Sequence, residues 1–558
     1  MSRFITILIL AMTLTVSAQP PELIELNTDF WTWRYAQQAA SGDDIPRVER
    51  PDGWQPDWSP ETIDVYRANY EGFRKRLAGI SREGWTRSDS VDWLCLSSAI
   101  ERVHWELDVL RSPHRNPHFY VHQTLGILYE LLLIHSPMTD NRIENLITRM
   151  ASIPTTLEHA RVNLSEPVGP FADIALEALH DVDSALYKVR DALKEMVDAR
   201  HHAPLETATA DAATDLVGYA AWLRENRTGM SDAISVGRDG YVWFLHEVAL
   251  IPYTPEALLE MGRQEWQRSV AFETFEQVRN RDVPEPAIFP DAAAQIAQEK
   301  KDEQAIRDFL EANDIMTVPD WLRHYHNKLT PDHIRPLAHM GVVDDLTSET
   351  RLDENAISYI PEPSPDLSYF RLSMAKDPRP IIVHEGVPGH YFQMAISWAH
   401  ENPIRRRWID SGANEGIAFY VEEMLQQFGL FDDRPHTREI IYNFMRLRAL
   451  RVEVDIQLAV GNFSIEEAGD FLARTVPMDR ETAMHEAGFF AFNPGQAITY
   501  QIGKLQIHKF LSDARIHQGE RFDLRTFHDY LILNGNVPIA LLRWEYLGLD
   551  DEVGAFFE

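Results

Sequence analysis

Apolar residues recur at three- and four-residue intervals over long windows, 60–80, 88–112, 139–165 and 168–200 among them, and each window predicts a helix with one buried face. Strand-like alternation is sparse. Its best runs are 339–343, 357–360 and 369–373, so the pattern predicts a mainly α protein with one small β-sheet. Pro252, Pro255, Pro284, Pro286 and Pro290 punctuate helices rather than mark a linker, and Asn534-Gly535-Asn536-Val537-Pro538 reads as a turn with Pro538 opening the last helix. No repeat or low-complexity tract interrupts the chain. The uniform helical pattern suggests a large two-lobed fold around one cleft, with an N-terminal helical lobe over 19–250 and a second lobe over 251–558.

Residues 1–18 read as an export signal. Arg3 precedes an apolar stretch from Phe4 to Val16, small residues end it at Ala18, and roughly 13 apolar residues are too few to cross a bilayer. An uncleaved N-terminal anchor is the alternative. No cysteine follows the stretch, which argues against a bacterial lipid anchor, so the expected destination is the periplasm or the exterior. Cys95 is the single cysteine, so the chain can form no internal disulfide, and 44% apolar residues must supply a large core instead. Its neighbours Trp93, Leu94 and Leu96 point to a buried, inert thiol.

The formal charge is −33, from 53 basic and 86 acidic side chains. A surface so negative repels phosphate backbones and anionic lipid, so we expect no nucleic-acid partner and no stable membrane association after signal cleavage. Arg405-Arg406-Arg407 is the densest basic run, and pairing with nearby acids accounts for it. Oligomeric state is not legible.

The candidate chemistry sits at residues 384–390, His-Glu-Gly-Val-Pro-Gly-His, followed by Asn414-Glu415-Gly416. Zinc-binding helices place two histidines at i and i+4 on one face. Here the second is at i+6, about 240° around an ideal helix. Pro388 and Gly389 offer a remedy, because a local bulge at those two residues would return His390 to the face of His384. Four His-Glu dipeptides occur, at His246, His384, His400 and His485, and only the one at His384 has another histidine within the next eight residues. The alternative is a plain Pro-Gly turn between two helices with both histidines on the surface.

The segments VHEGVPGHYFQ, NEGIAFYVEE, RALRVEVD (448–455) and NPGQAITYQIG (493–503) resemble the bacterial family catalogued as domain of unknown function 885. Its members look like helical zinc metallopeptidases of the gluzincin type. The resemblance covers most of the chain after the signal and implies a metallopeptidase-like fold with the sheet beside the active-site helix. It also implies Zn²⁺ held by His384, His390 and Glu415, with Glu385 as general base. Two positions depart from the family: its arginine after Glu486 is Phe489 here, and a histidine often found after the Arg448–Asp455 segment is Ala459. Both leave substrate preference open.

Two imidazoles and one carboxylate leave a zinc position for water and lower its pKa to about 7. Glu385 would take that water's proton. Glu422, two helical turns from Glu415, would orient a ligand histidine or be a solvent-facing charge. Tyr500 would donate to the developing oxyanion or be an ordinary core tyrosine. Arg448 and Arg451 would bind a substrate carboxylate or pair with Glu453 or Asp455. His118 and His122 form a second i, i+4 pair that lacks a third ligand.

The expected function is therefore an exported zinc peptidase that cleaves short peptides, of exopeptidase or dipeptidase type. The alternatives are a peptide-binding protein that has lost turnover, and a metal-dependent hydrolase of non-peptide amides or esters.

Overall fold

The computed structural model describes residues 20–41 and 48–557. The signal expected at residues 1–18 lies outside them. Helices dominate, and the four long windows become helices with identifiable ends. Residues 60–80 form Pro60–Ala78, started by Ser59, whose hydroxyl accepts from the Thr62 amide. Residues 88–112 form Arg87–His104, opened by a reciprocal Thr86/Asp89 capping box and extended by a wide turn, Trp105–Val109. The other two windows each split. Pro154, with no amide to donate, sits at the start of Ile153–Asn163 and separates it from Asp140–Ala151. Asp181 takes a left-handed φ of 51° and separates Gly169–Ala178 from Val182–Lys194. Among the described residues, no helix is long and apolar enough to cross a membrane.

Among the described residues, a single small sheet is built from β1 (Tyr325–Leu329), β2 (Asp344–Asp345) and β3 (Ala356–Ile360). The strand order is β1-β3-β2, with β1 parallel and β2 antiparallel to β3. Two strand expectations fail. Residues 339–343 run from a 3₁₀ turn, Arg335–Met340, into the loop before β2. Residues 369–373 begin a helix, Tyr369–Lys376, whose Tyr369 and Phe370 rings pack against Phe444 at 5.6 and 5.5 Å. Tertiary packing overrides the β-propensity of those aromatic residues. The strand β1 was not expected, because its sequence YHNKL carries polar Asn327 on the buried side.

The largest core joins buried residues of 23–107 to those of 382–556, and a second gathers residues from 58–230 with 334–359. Four helices carry the candidate site: α1 (His390–Trp398), α2 (Ser411–Gln427), α3 (His436–Val460) and α4 (Thr499–Gln518). Helices α2 and α4 approach so closely that a Cβ on Gly503 would lie 2.1 Å from the carbonyl oxygen of Gly412, and one on Gly416 would lie 2.6 Å from Cα of Gly503. Gly503→Ala must push these helices apart, and overpacking of this kind costs about 1–3 kcal/mol. Its urea midpoint should fall accordingly with an unchanged slope; an unaltered midpoint would show that the helices have room to spare.

The Arg405–Arg407 run pairs with acids as expected. Arg405 is buried between Asp92 (2.9 Å) and Glu545 (2.7 Å), and Arg406 and Arg407 face Glu349. Cys95 is buried and free, and burial pushes its thiol pKa up, which keeps it protonated.

Candidate metal centre

The motif breaks its helix instead of bulging within it. A wide helical turn, Ile382–Gly386, ends at an extended Val387 (φ −122°, ψ 122°), and α1 starts afresh at His390. Gly389 is there because nothing larger fits: a Cβ would lie 1.8 Å from the carbonyl oxygen of His384. Residues 387–389 thus act as a short link, and the two imidazole rings meet with centroids 4.7 Å apart at 79°.

Glu415, in the first turns of α2, completes the group. Its Oε2 lies 3.4 Å from Nε2 of both His384 and His390, and all three side chains are buried. Among the described residues, one group of three metal-capable side chains converges, and it is this one, with its ligand atoms within 4.8 Å of one another. Oε2 of Glu415 is buried with no hydrogen-bond partner. A buried carboxylate oxygen left without a donor is costly, and two nitrogens and one oxygen in this arrangement suit a divalent ion such as zinc.

Glu422, two turns further along α2, has no exposure and places Oε1 2.6 Å from Nδ1 of His384. Arg448 of α3 reaches the same carboxylate at 3.0 Å. Its guanidinium also lies 3.2 Å from Nδ1, but arginine can only donate. The shorter, oppositely charged contact to Glu422 favours a proton on Nδ1 and turns the Nε2 lone pair toward Glu415. Glu422 is therefore not the solvent-facing charge of the alternative. Glu422→Gln should weaken metal binding about 10- to 100-fold. Titration against a competing chelator measures this, and unchanged affinity would leave Glu422 with a packing role.

Glu385 projects from the same turn as His384 and keeps some exposure. Burial pushes its carboxyl pKa up, against the pull of His384 and His390. The sheet lies directly alongside: Tyr325 of β1 packs on Gly386, where a Cβ would be 2.7 Å from the ring, and donates to Asp344 of β2 at 3.1 Å. Tyr500, at the start of α4, lies parallel to the His384 ring with centroids 6.4 Å apart.

Arg451 stacks over the Tyr500 ring at 4.5 Å and makes a bidentate pair with Glu486 at 2.7 and 2.6 Å. The partners expected for these arginines are engaged elsewhere. Glu453 binds Arg263 at 2.8 Å, while Asp455 accepts backbone amides of Gly495 (2.8 Å) and Ile498 (3.2 Å). Burial pushes the Asp455 carboxyl up to about 7. Through those amides it fixes the segment that leads into Tyr500. The spacing of Arg448 and Arg451 gave no signal for Glu422 and Glu486, because both partners are remote in sequence.

Phe489 packs against Phe490 and Phe492 with centroids 5.3 and 5.8 Å apart, and Ala459 lies in an apolar cluster with Tyr241 and Phe244. His118 and His122 also meet, at 4.7 Å, but no third ligand joins them among the described residues. Burial pushes His122 down to about 4 and His118 well below its ordinary value, so both rings are neutral core groups.

The family described as "Bacterial protein of unknown function (DUF885)" matches residues 37–545. The chain belongs to that family. Solved structures share its fold. One is "a putative lipoprotein of unknown function from Shewanella oneidensis", with a TM-score of 0.70 and 15% identity over 94% of this chain and 98% of that one. Another is "the putative lipoprotein from Colwellia psychrerythraea", with a TM-score of 0.74 and 16% identity over 94% and 97%. No curated protein matches.

Proposed function

We propose that the chain is an exported zinc-dependent peptidase acting on short peptides within a cleft between two lobes, as gluzincin-type enzymes do. The observation that carries this reading is the buried convergence of His384, His390 and Glu415, with Glu422 behind His384. Two imidazoles with one carboxylate match the ligand set of catalytic zinc sites that keep an open position. Export is supported by the apolar N-terminal stretch and by the description of both structural neighbours as a "putative lipoprotein".

A divalent ion held by these three residues supplies Lewis acidity toward a scissile carbonyl and makes water acidic enough to lose a proton near neutral pH. The chain's own residues do the rest. Glu385, raised by burial, accepts the proton of the attacking water on its carboxylate and passes it to the leaving amine. Tyr500 offers a hydroxyl to the oxyanion as it forms. Arg451, fixed by Glu486 and stacked on Tyr500, holds that ring in place and keeps positive charge beside it. Arg448 holds Glu422 against His384. In this reading both arginines position the machinery, and their engagement with Glu422 and Glu486 weighs against a primary role in binding a substrate carboxylate.

The test joins metal analysis to profiling with a peptide library read by mass spectrometry. One equivalent of zinc and cleavage of short peptides support the proposal. Zinc with tight peptide binding and no cleavage points to a binding protein. Zinc with hydrolysis only of esters or non-peptide amides points to a different hydrolase.

A further inference from the structure

A cavity lies between helices of the first 122 residues and the two segments that lead into Glu415 and Tyr500, neither of which lines it. One wall is the first turn of α2, Asp410 to Gly412, together with Gln496 and Thr499; Glu415 lies three residues beyond Gly412, and Tyr500 directly follows Thr499. The opposite wall is mixed, with aromatic rings set among polar Gln38, Arg102, Glu106 and Asn116. Trp58 meets Phe119 edge to face at 4.7 Å, and Trp105 meets Phe244 at 4.6 Å. The cavity's volume of about 100 Å³ is of the same order as the ~150 Å³ apolar cavities that take up benzene. That space suits one ring and excludes a folded peptide.

Its polar wall holds a second pointer to a ligand. Ser411 is 4% exposed, lines the cavity, and its hydroxyl has no hydrogen-bond partner. Buried hydroxyls in native folds are nearly always paired, so a ligand group at this end would complete it. Aromatic rings interspersed with polar groups fit an amphipathic ligand: a ring against the aromatic residues and a peptide group at Ser411.

We infer that this cavity is a specificity pocket that receives one aromatic side chain of a peptide, with the adjoining peptide group bonded to Ser411. The inference deepens the peptidase reading and rests on it for the identity of the ligand as substrate. It predicts selectivity for peptides bearing phenylalanine, tyrosine or tryptophan beside the cleaved bond.

Ala39, partly buried and lining the cavity, is not one of the metal-capable residues and so allows the pocket to be filled. Ala39→Trp should lower kcat/KM for a phenylalanine-containing peptide at least tenfold while changing that for its alanine counterpart by less than twofold. A second measurement needs no turnover and no metal. Saturation transfer from the full-length protein to N-acetyl-phenylalanine amide should be seen in the native protein, be weakened in Ser411→Ala and be lost in Ala39→Trp. An unchanged phenylalanine-to-alanine ratio, or ring binding that survives in Ala39→Trp, would overturn the pocket. If neither peptide is cleaved but ring binding follows the predicted pattern, the peptidase reading fails and the pocket stands.

Discussion

Glu385→Gln is expected to hold the same single equivalent of zinc as the native protein and to lose turnover by at least about 100-fold, within the 10²- to 10⁴-fold span of general acid–base catalysis. The two effects should separate because the converging group of metal-capable side chains is His384, His390 and Glu415 and does not include Glu385. Glutamine keeps the shape of the side chain and one acceptor oxygen but cannot take a proton. KM should change little, since the lost interaction belongs to the reacting proton rather than to substrate binding. Parallel zinc analysis and steady-state kinetics check this. Loss of metal and activity together would mean that Glu385 helps to hold the ion, and full activity would remove it from the chemistry.

Glu415→Ala should do the opposite and abolish zinc binding and activity together. Its carboxylate oxygen stands 3.4 Å from Nε2 of both His384 and His390, so its removal leaves two imidazoles and an empty volume in the buried first turns of α2. Stability gives a second readout. A ligand present at 100 times its Kd adds about 2.7 kcal/mol to the folded state. Chelation should therefore lower the melting temperature of the native protein and leave that of Glu415→Ala unmoved. Equal responses to chelator in both proteins would detach the stabilising ion from this site.

The same residues show how much a sequence can carry. That His384, His390 and Glu415 converge was legible, because the proposed metal site would demand particular side chains in a narrow chain order, and the structure brings the three together. How they meet was less legible. The i+6 spacing admitted a bulged helix, but the chain breaks and restarts, because Gly389 has to pass within contact of the His384 carbonyl. Periodicity located the long helices, since burying one face repeats every few residues. It misplaced short elements such as Tyr369–Lys376, where two or three aromatic contacts decide the conformation. Pairings such as Arg448 with Glu422, and Arg451 with Glu486, lay beyond reach, because no local pattern records which distant helix will supply a partner. The cavity walled by Trp58, Trp105 and Phe119 is of the same kind, assembled from segments hundreds of residues away from Ser411.

The most direct test is crystallographic: anomalous diffraction recorded on both sides of the zinc absorption edge from protein purified without added chelator. The account predicts one strong peak that appears only above the edge, within about 2.0–2.2 Å of Nε2 of His384, Nε2 of His390 and a carboxylate oxygen of Glu415. No peak there in zinc-supplemented crystals, or a peak bound by other side chains, would contradict it.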